Sequence, residues 1–151
     1  MKKTLSLFLC IVIIGNLFSF SVHGNESETV EHVLITYFPD GSYCIETITE
    51  CRSLPGRAVK NGTKTRVYYS SSDIRLFSTS VYGEFTYDGT TATATYAQLG
   101  YQIYSSAWSY NSGIAFCSGA SATASCTFDA AYGFRRTLSV TLTCSPTGVL
   151  T

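Results

Sequence analysis

Residues 75–87 read RLFSTSVYGEFTY. Phe77, Val81, Phe85 and Tyr87 fall on one parity, and Ser78, Ser80, Glu84 and Thr86 on the other. Side chains alternate across an extended chain, so this two-residue period predicts one long, half-buried β-strand. Gly83 sits on the inward parity, where the missing side chain predicts a bulge or a close backbone approach.

The same rhythm recurs downstream. TLSVTLTC (137–144) sends Leu138, Val140, Leu142 and Cys144 inward and Ser139, Thr141 and Thr143 outward. SATASCTFDA (121–130) puts Ala122, Ala124, Cys126, Phe128 and Ala130 on one face. WSYNSGIAF (108–116) does so with Trp108, Tyr110, Ile114 and Phe116. Turn signals separate these runs: FPDGSY (38–43), YDGTT (87–91), CSGAS (117–121) and YGF (132–134). In the first, Pro39 presets φ and Gly41 accepts a positive φ.

Helical spacing is nowhere sustained. The predicted strands span 30–38, 42–50, 65–70, 75–87, 91–104, 108–117, 121–131 and 135–144. The fifth bends around Leu99–Gly100, where the apolar parity passes from Ala92, Ala94 and Tyr96 to Leu99, Tyr101 and Ile103, as a bulge would make it do. The expected fold is all-β: an antiparallel β-sandwich, Ig-like or jelly-roll-like, over residues 64–151. An N-terminal β-hairpin and basic linker, residues 25–63, precede it.

The chain opens MKKTLSLFLCIVIIGNLFSFSVHG (1–24). Lys2 and Lys3, an apolar run and small residues before Asn25 have the layout of a cleaved secretory signal peptide. The apolar run is short for a membrane span and Asn16 interrupts it. The expected location is therefore extracellular, with no transmembrane span after cleavage. What remains is long enough for one domain with its own core.

Charges come in blocks. Glu26, Glu28, Glu31, Asp40, Glu46 and Glu50 are followed by Arg52, Arg57, Lys60, Lys64 and Arg66. Residues 89–128 carry no charge at all. Without Lys2 and Lys3, eight cations face ten anions, which gives no field that selects nucleic acid. Arg57 and Lys60 either meet an anionic surface, such as a wall polymer or lipid headgroups, or pack beside the acidic hairpin and neutralise it. The second is favoured, because like charges left alone repel. The neutral segment alternates apolar residues with Ser and Thr, which reads as a sheet whose outer face is dressed in hydroxyls.

LFSTSVYGEFTYDGTTAT (76–93), Trp108 about twenty residues after that turn, and RTLSVTLTCSPTGVL (136–150) together resemble a family of small secreted Gram-positive proteins of unknown function. YFPDGSY (37–43) ahead of NGTKT (61–65) belongs to the same pattern. The resemblance implies a small extracellular β-sandwich and carries no activity with it. It also implies a cysteine on the strand after YDGTTAT facing the closing one. Here Ala92, Ala94 and Tyr96 stand in that region, which leaves the partner of Cys144 open.

Five cysteines follow the leader: Cys44, Cys51, Cys117, Cys126 and Cys144. An exported chain can form disulfides, and an odd number leaves one unpaired or shared between chains. Cys117 and Cys126 bracket a predicted hairpin and are the candidate bridge. There is no CxxC, and His32 is the one histidine after the leader, so no metal or cofactor is expected. His32 is also the sole base available for nucleophilic catalysis. Glu46, Glu84, Asp88 and Asp129 are the carboxylates from which a hydrolytic pair would have to be drawn.

The reading is therefore a secreted, non-catalytic binding or surface module for wall or glycan ligands. Tyr101, Tyr104, Trp108 and Tyr110 are candidate contacts, because aromatic rings stack on sugars. Core filling competes for Tyr101 and Trp108, which lie on inward parities. A membrane-active toxin or bacteriocin-like protein is the alternative, since pore-forming hairpins also alternate hydroxyl and apolar residues.

Overall fold

The computed structural model describes residues 32–50 and 58–151. The expected signal peptide (1–24), residues 25–31, Cys51 and Arg57 lie outside the described residues. Eight strands form: β1 (His32–Tyr37), β2 (Tyr43–Glu50), β3 (Val59–Tyr69), β4 (Arg75–Tyr87), β5 (Ala92–Ile103), β6 (Trp108–Ser118), β7 (Ser121–Ala130) and β8 (Arg135–Thr143). One antiparallel sheet runs β1-β2-β3-β4-β5 and a second runs β6-β7-β8. The expected antiparallel β-sandwich is what the chain forms. Each sheet is a simple meander, without the crossover of Ig-like or jelly-roll connectivity.

The alternation in β4, β7 and β8 sets the core. Phe77, Val81 and Phe85 of β4 are fully buried against Ala122, Ala124, Cys126 and Phe128 of β7. Leu138, Val140 and Leu142 of β8 complete the layer. Phe77 and Phe128 stack across the sheets, their centroids 4.2 Å apart. Each such side chain contributes about 1.5–3 kcal/mol by leaving water. Gly83 marks the close approach that its parity predicts. A Cβ there would lie 2.9 Å from the Ala122 Cβ and 2.8 Å from the Phe85 ring.

The hairpin β1–β2 does not hang from the sandwich as an arm, because β2 pairs with β3 along its whole length. The domain boundary expected at residue 64 falls inside β3, which begins at Val59. Six residues of that strand escape a hydrophobic reading because its inward parity is charged. Lys60, Lys64 and Arg66 share a face with the buried Tyr68, and Glu46 and Glu50 share one with the buried Cys44 and Ile48. Across the two strands Lys60 pairs with Glu50. Lys64 and Arg66 both lie 3.3 Å from Glu46. Among the described residues, Glu46 and Glu50 of the acidic block thus neutralise Lys60, Lys64 and Arg66 of the basic one, with all five side chains largely covered.

Two bulges move side chains away from their expected faces. In β5, Glu84 faces Tyr96 and Phe85 faces Ala94, which leaves Thr95 unpaired. The parity slip lies there and not at Leu99–Gly100. One extra residue reverses every face beyond it. Tyr96 therefore points outward, edge-on to Tyr82 at 6.2 Å. In β6, Tyr110 faces Phe128 and Ser112 faces Thr127, so Asn111 is the extra residue. Ile114 and Phe116 consequently face outward and are exposed, against the single-face expectation for 108–116. Gly113 and Ala115 take the inner positions opposite Cys126 and Ala124.

Candidate functional site

Four connections gather at one end of the sandwich: residues 38–42, 70–74, 104–107 and 131–134. The register of the first sheet brings the residues flanking them into line. Tyr37 pairs with Tyr43, Tyr43 with Tyr69, and Tyr69 with Arg75. Tyr104, just past the end of β5, extends the line, so that it crosses all five strands.

The contacts along this row are continuous. Tyr37 and Tyr43 lie 5.5 Å apart between centroids. Tyr43 and Tyr69 are 4.9 Å apart with planes 1° from parallel. The Arg75 guanidinium lies 5.8 Å from the Tyr69 centroid and 5.0 Å from that of Tyr104. Neighbouring strands are spaced ~4.8 Å apart, which lets Tyr43 and Tyr69 stack face to face, while Tyr37 is tilted 40° to Tyr43 and Arg75 bridges Tyr69 to Tyr104. Their edges and phenolic hydroxyls make a rail along the outer face, with the Tyr37 ring exposed at one end.

Local structure fixes the rail. The Tyr43 hydroxyl donates to the Asp73 carboxylate at 3.0 Å. Burial and this bond, in that order, hold the Tyr43 pKa above its ordinary value. Asp73 itself has φ 61°, a left-handed conformation that aspartate adopts more readily than most residues. Its strain is held in place by the turn, where its N–H donates to the Ser70 carbonyl.

Around the same end lies a hollow of about 330 Å³. Trp108 and Tyr68 line it, with Asp40, Ser42, Phe134 and Arg136. Trp108 packs against Phe77 at 4.7 Å between centroids and remains half-buried. Arg136 lies over the Tyr68 ring at 4.7 Å and 3.5 Å from Asp40. The Tyr68 hydroxyl donates to Ser42 at 2.7 Å. The Ser42 hydroxyl and amide donate to Asp40, and these bonds hold that carboxyl below its ordinary pKa. Rings, hydroxyls, a carboxylate and a guanidinium thus converge on one space.

The sequence-predicted residues separate into groups. Tyr104 joins the rail and Trp108 lines the hollow. Tyr101 and Tyr110 form a second stacked pair, 4.0 Å apart and 8° from parallel, between β5 and β6. Tyr101 is half exposed, so its expected place in the core is not where it sits. Lys60 is held by Glu50 with most of its side chain covered, and Arg57 lies outside the described residues. The expected Cys117–Cys126 bridge does not form. The hairpin turn at residues 119–120 sets Cys117 opposite Ala122 and Cys126 opposite Gly113, and both thiols are free.

Tyr37, Tyr43, Tyr69 and Arg75 are the members that sequence reasoning missed. Their signal was positional: YFPDGSY carries a tyrosine at each end of its loop, and Tyr69 and Arg75 flank the next one. Each of the four candidate carboxylates is engaged. Glu46 is ion-paired, Glu84 accepts from Tyr82, Asp88 from Thr90 and Thr91, and Asp129 from Asn111 and Arg135. Among the described residues, no three His, Cys, Asp or Glu side chains cluster so as to hold a metal ion. Comparison with protein-family models, with curated proteins and with solved structures finds no match.

Proposed function

We propose that this chain is a secreted, non-catalytic module that binds a linear wall polymer or other glycan at its tyrosine-rich end. One observation carries the reading: an unbroken row of Tyr37, Tyr43, Tyr69, Arg75 and Tyr104 across every strand of the larger sheet. A rail with one phenol or guanidinium per strand repeats every ~4.8 Å, a period comparable to one pyranose of an extended polysaccharide. Tyrosine offers a phenolic hydroxyl to sugar oxygens from a rigid, amphipathic ring, at little entropic cost. The hollow beside Trp108 is of a size to take a side branch or a chain end.

The test is co-sedimentation of the purified chain with insoluble polysaccharides and peptidoglycan, run beside a dye-leakage assay on liposomes. Retention on a glycan with intact liposomes supports the reading. Ile114 and Phe116, turned outward on the uncharged strand β6, are the residues that the membrane-active alternative would use. Leakage without glycan retention would replace the first reading by that one.

A further inference from the structure

β1 is the outermost strand of the larger sheet, with β2 on one side and none of the described residues pairing with the other. The turn reveals which backbone groups face that open side. The Phe38 N–H donates to the Ser42 carbonyl at 2.8 Å, so Phe38 and Ser42 form a hydrogen-bonded pair. Antiparallel ladders alternate bonded and non-bonded pairs. Leu34 and Thr36 therefore direct their N–H and C=O groups at β2. Val33, Ile35 and Tyr37 direct theirs outward, into the open edge.

Natural edge strands are usually blunted by lysine, proline, a bulge or an inward charge. The segment VLITY (33–37) has none of these, and its pairing with β2 is regular throughout. Its apolar side chains are uncovered: Val33 is 59% exposed, Leu34 58%, Ile35 47% and Tyr37 71%. A groove of about 270 Å³ borders the same strand, between Leu34, Ile48 and Leu150.

We propose that β1 is a homodimer interface. Two copies pair their β1 strands antiparallel about a twofold axis at Ile35, joining two five-stranded sheets into one. What selects a second copy as the occupant is self-complementarity. With Ile35 opposite Ile35 of the second copy, Val33 falls opposite Tyr37 and Tyr37 opposite Val33. These are the residues whose N–H and C=O groups are free, so each forms a reciprocal bonded pair. The same register places apolar side chains against apolar ones on the outer face and Leu34 beside Thr36 on the inner one. No charge in this segment opposes a like charge. Moving the axis to the neighbouring peptide would set outward groups against residues whose own groups point away. An isologous contact of this kind closes on itself. It shares only Tyr37 with the glycan reading and does not depend on it, since Tyr43, Tyr69, Arg75 and Tyr104 keep their outer face in the dimer.

Sedimentation equilibrium at high micromolar concentration tests it, with Ile35→Pro as the decisive variant. The Ile35 N–H makes no bond within the chain, so proline removes an intermolecular donor and leaves the β1–β2 ladder whole. The wild-type chain should sediment at twice its formula mass. Ile35→Pro, and Ile35→Lys as a second variant that sets two ammonium groups on the axis, should sediment at the single-chain mass with an unchanged far-UV spectrum. Amide exchange at Ile35 should be slow in the wild type and fast in Ile35→Lys. A wild-type chain of single mass, or a dimer that survives both substitutions, overturns the proposal.

Discussion

Tyr43 and Tyr69, on adjacent strands, stack 4.9 Å apart with their ring planes 1° from parallel, and the Tyr43 hydroxyl is tied to Asp73. The pair is the rigid centre of the row. Replacing the Asp73 carboxylate by an amide leaves the rings and an acceptor in place but removes the negative charge beside the hydroxyl. Asp73→Asn retains a left-handed-tolerant residue and should change stability by less than ~0.5 kcal/mol. The Tyr43 pKa should move down toward its ordinary value of 10.0, because one of its raising causes, the charge of Asp73, is gone. A spectrophotometric phenol titration of the two proteins measures this.

The interior charge network makes a second prediction. Glu46 holds both Lys64 and Arg66, and Arg66 also donates to the Ser139 carbonyl of the opposite sheet at 3.2 Å. The Glu46 side chain is 13% exposed. Glu46→Ala leaves two covered cations without their anion and should cost about 2–4 kcal/mol. Urea unfolding measures the loss. Lys64→Met, which removes one of two cations sharing the anion, should cost less than half as much.

Packing between the sheets makes a third. Gly83→Ala drives a methyl into the Phe85 ring and the Ala122 methyl, which lie on opposite sheets. Overpacking of this kind costs about 1–3 kcal/mol. The thermal midpoint should fall, and the double variant Gly83→Ala, Phe85→Leu should recover part of the loss.

Acid should weaken the fold through its aspartates. Asp88 accepts bonds from the side chain and amide of both Thr90 and Thr91, and these hold its carboxyl far below the ordinary aspartate value of 3.8. Asp129, bonded by Arg135 and then Asn111, and Asp40, bonded by Ser42, shift the same way. A carboxyl whose folded pKa lies below its unfolded one stabilises the fold above the unfolded value. That stability is lost as pH falls from about 4 toward the folded pKa. The thermal midpoint should drop below about pH 4, and Asp88→Asn should flatten part of that slope.

Thiol chemistry should follow burial. Desolvation pushes the Cys44, Cys126 and Cys144 thiols up, and these side chains are buried, while Cys117 is exposed. Alkylation of the native protein followed by peptide mapping should mark Cys117 and spare those three until the chain is unfolded. A native disulfide between Cys117 and Cys126 would contradict the register.

What the sequence made legible follows one physical rule. Strands β4, β7 and β8 alternate cleanly, so Phe77, Val81, Phe85, Leu138, Val140 and Leu142 were readable as core. Strand β3 was half hidden because Lys60, Lys64 and Arg66 occupy inward positions that only the cross-strand Glu46 and Glu50 make tolerable. Ile114, Phe116 and Tyr96 were misplaced because Asn111 and Thr95 each insert one residue, and an inserted residue reverses every face beyond it. The tyrosine row was illegible for a different reason. Each ring belongs to a different strand, and register alone brings them together.

The most direct measurement is titration calorimetry with a soluble oligosaccharide of whichever glycan retains the protein, comparing the wild type with Tyr69→Ala and with Phe116→Ala. Tyr69 is the middle member of the row of five, and Phe116 is an exposed ring on the other sheet. The account predicts that Tyr69→Ala weakens binding about tenfold or more, some 1.4 kcal/mol, while Phe116→Ala binds as the wild type does. Equal affinity of Tyr69→Ala and wild type, with the thermal midpoint unchanged, would contradict it.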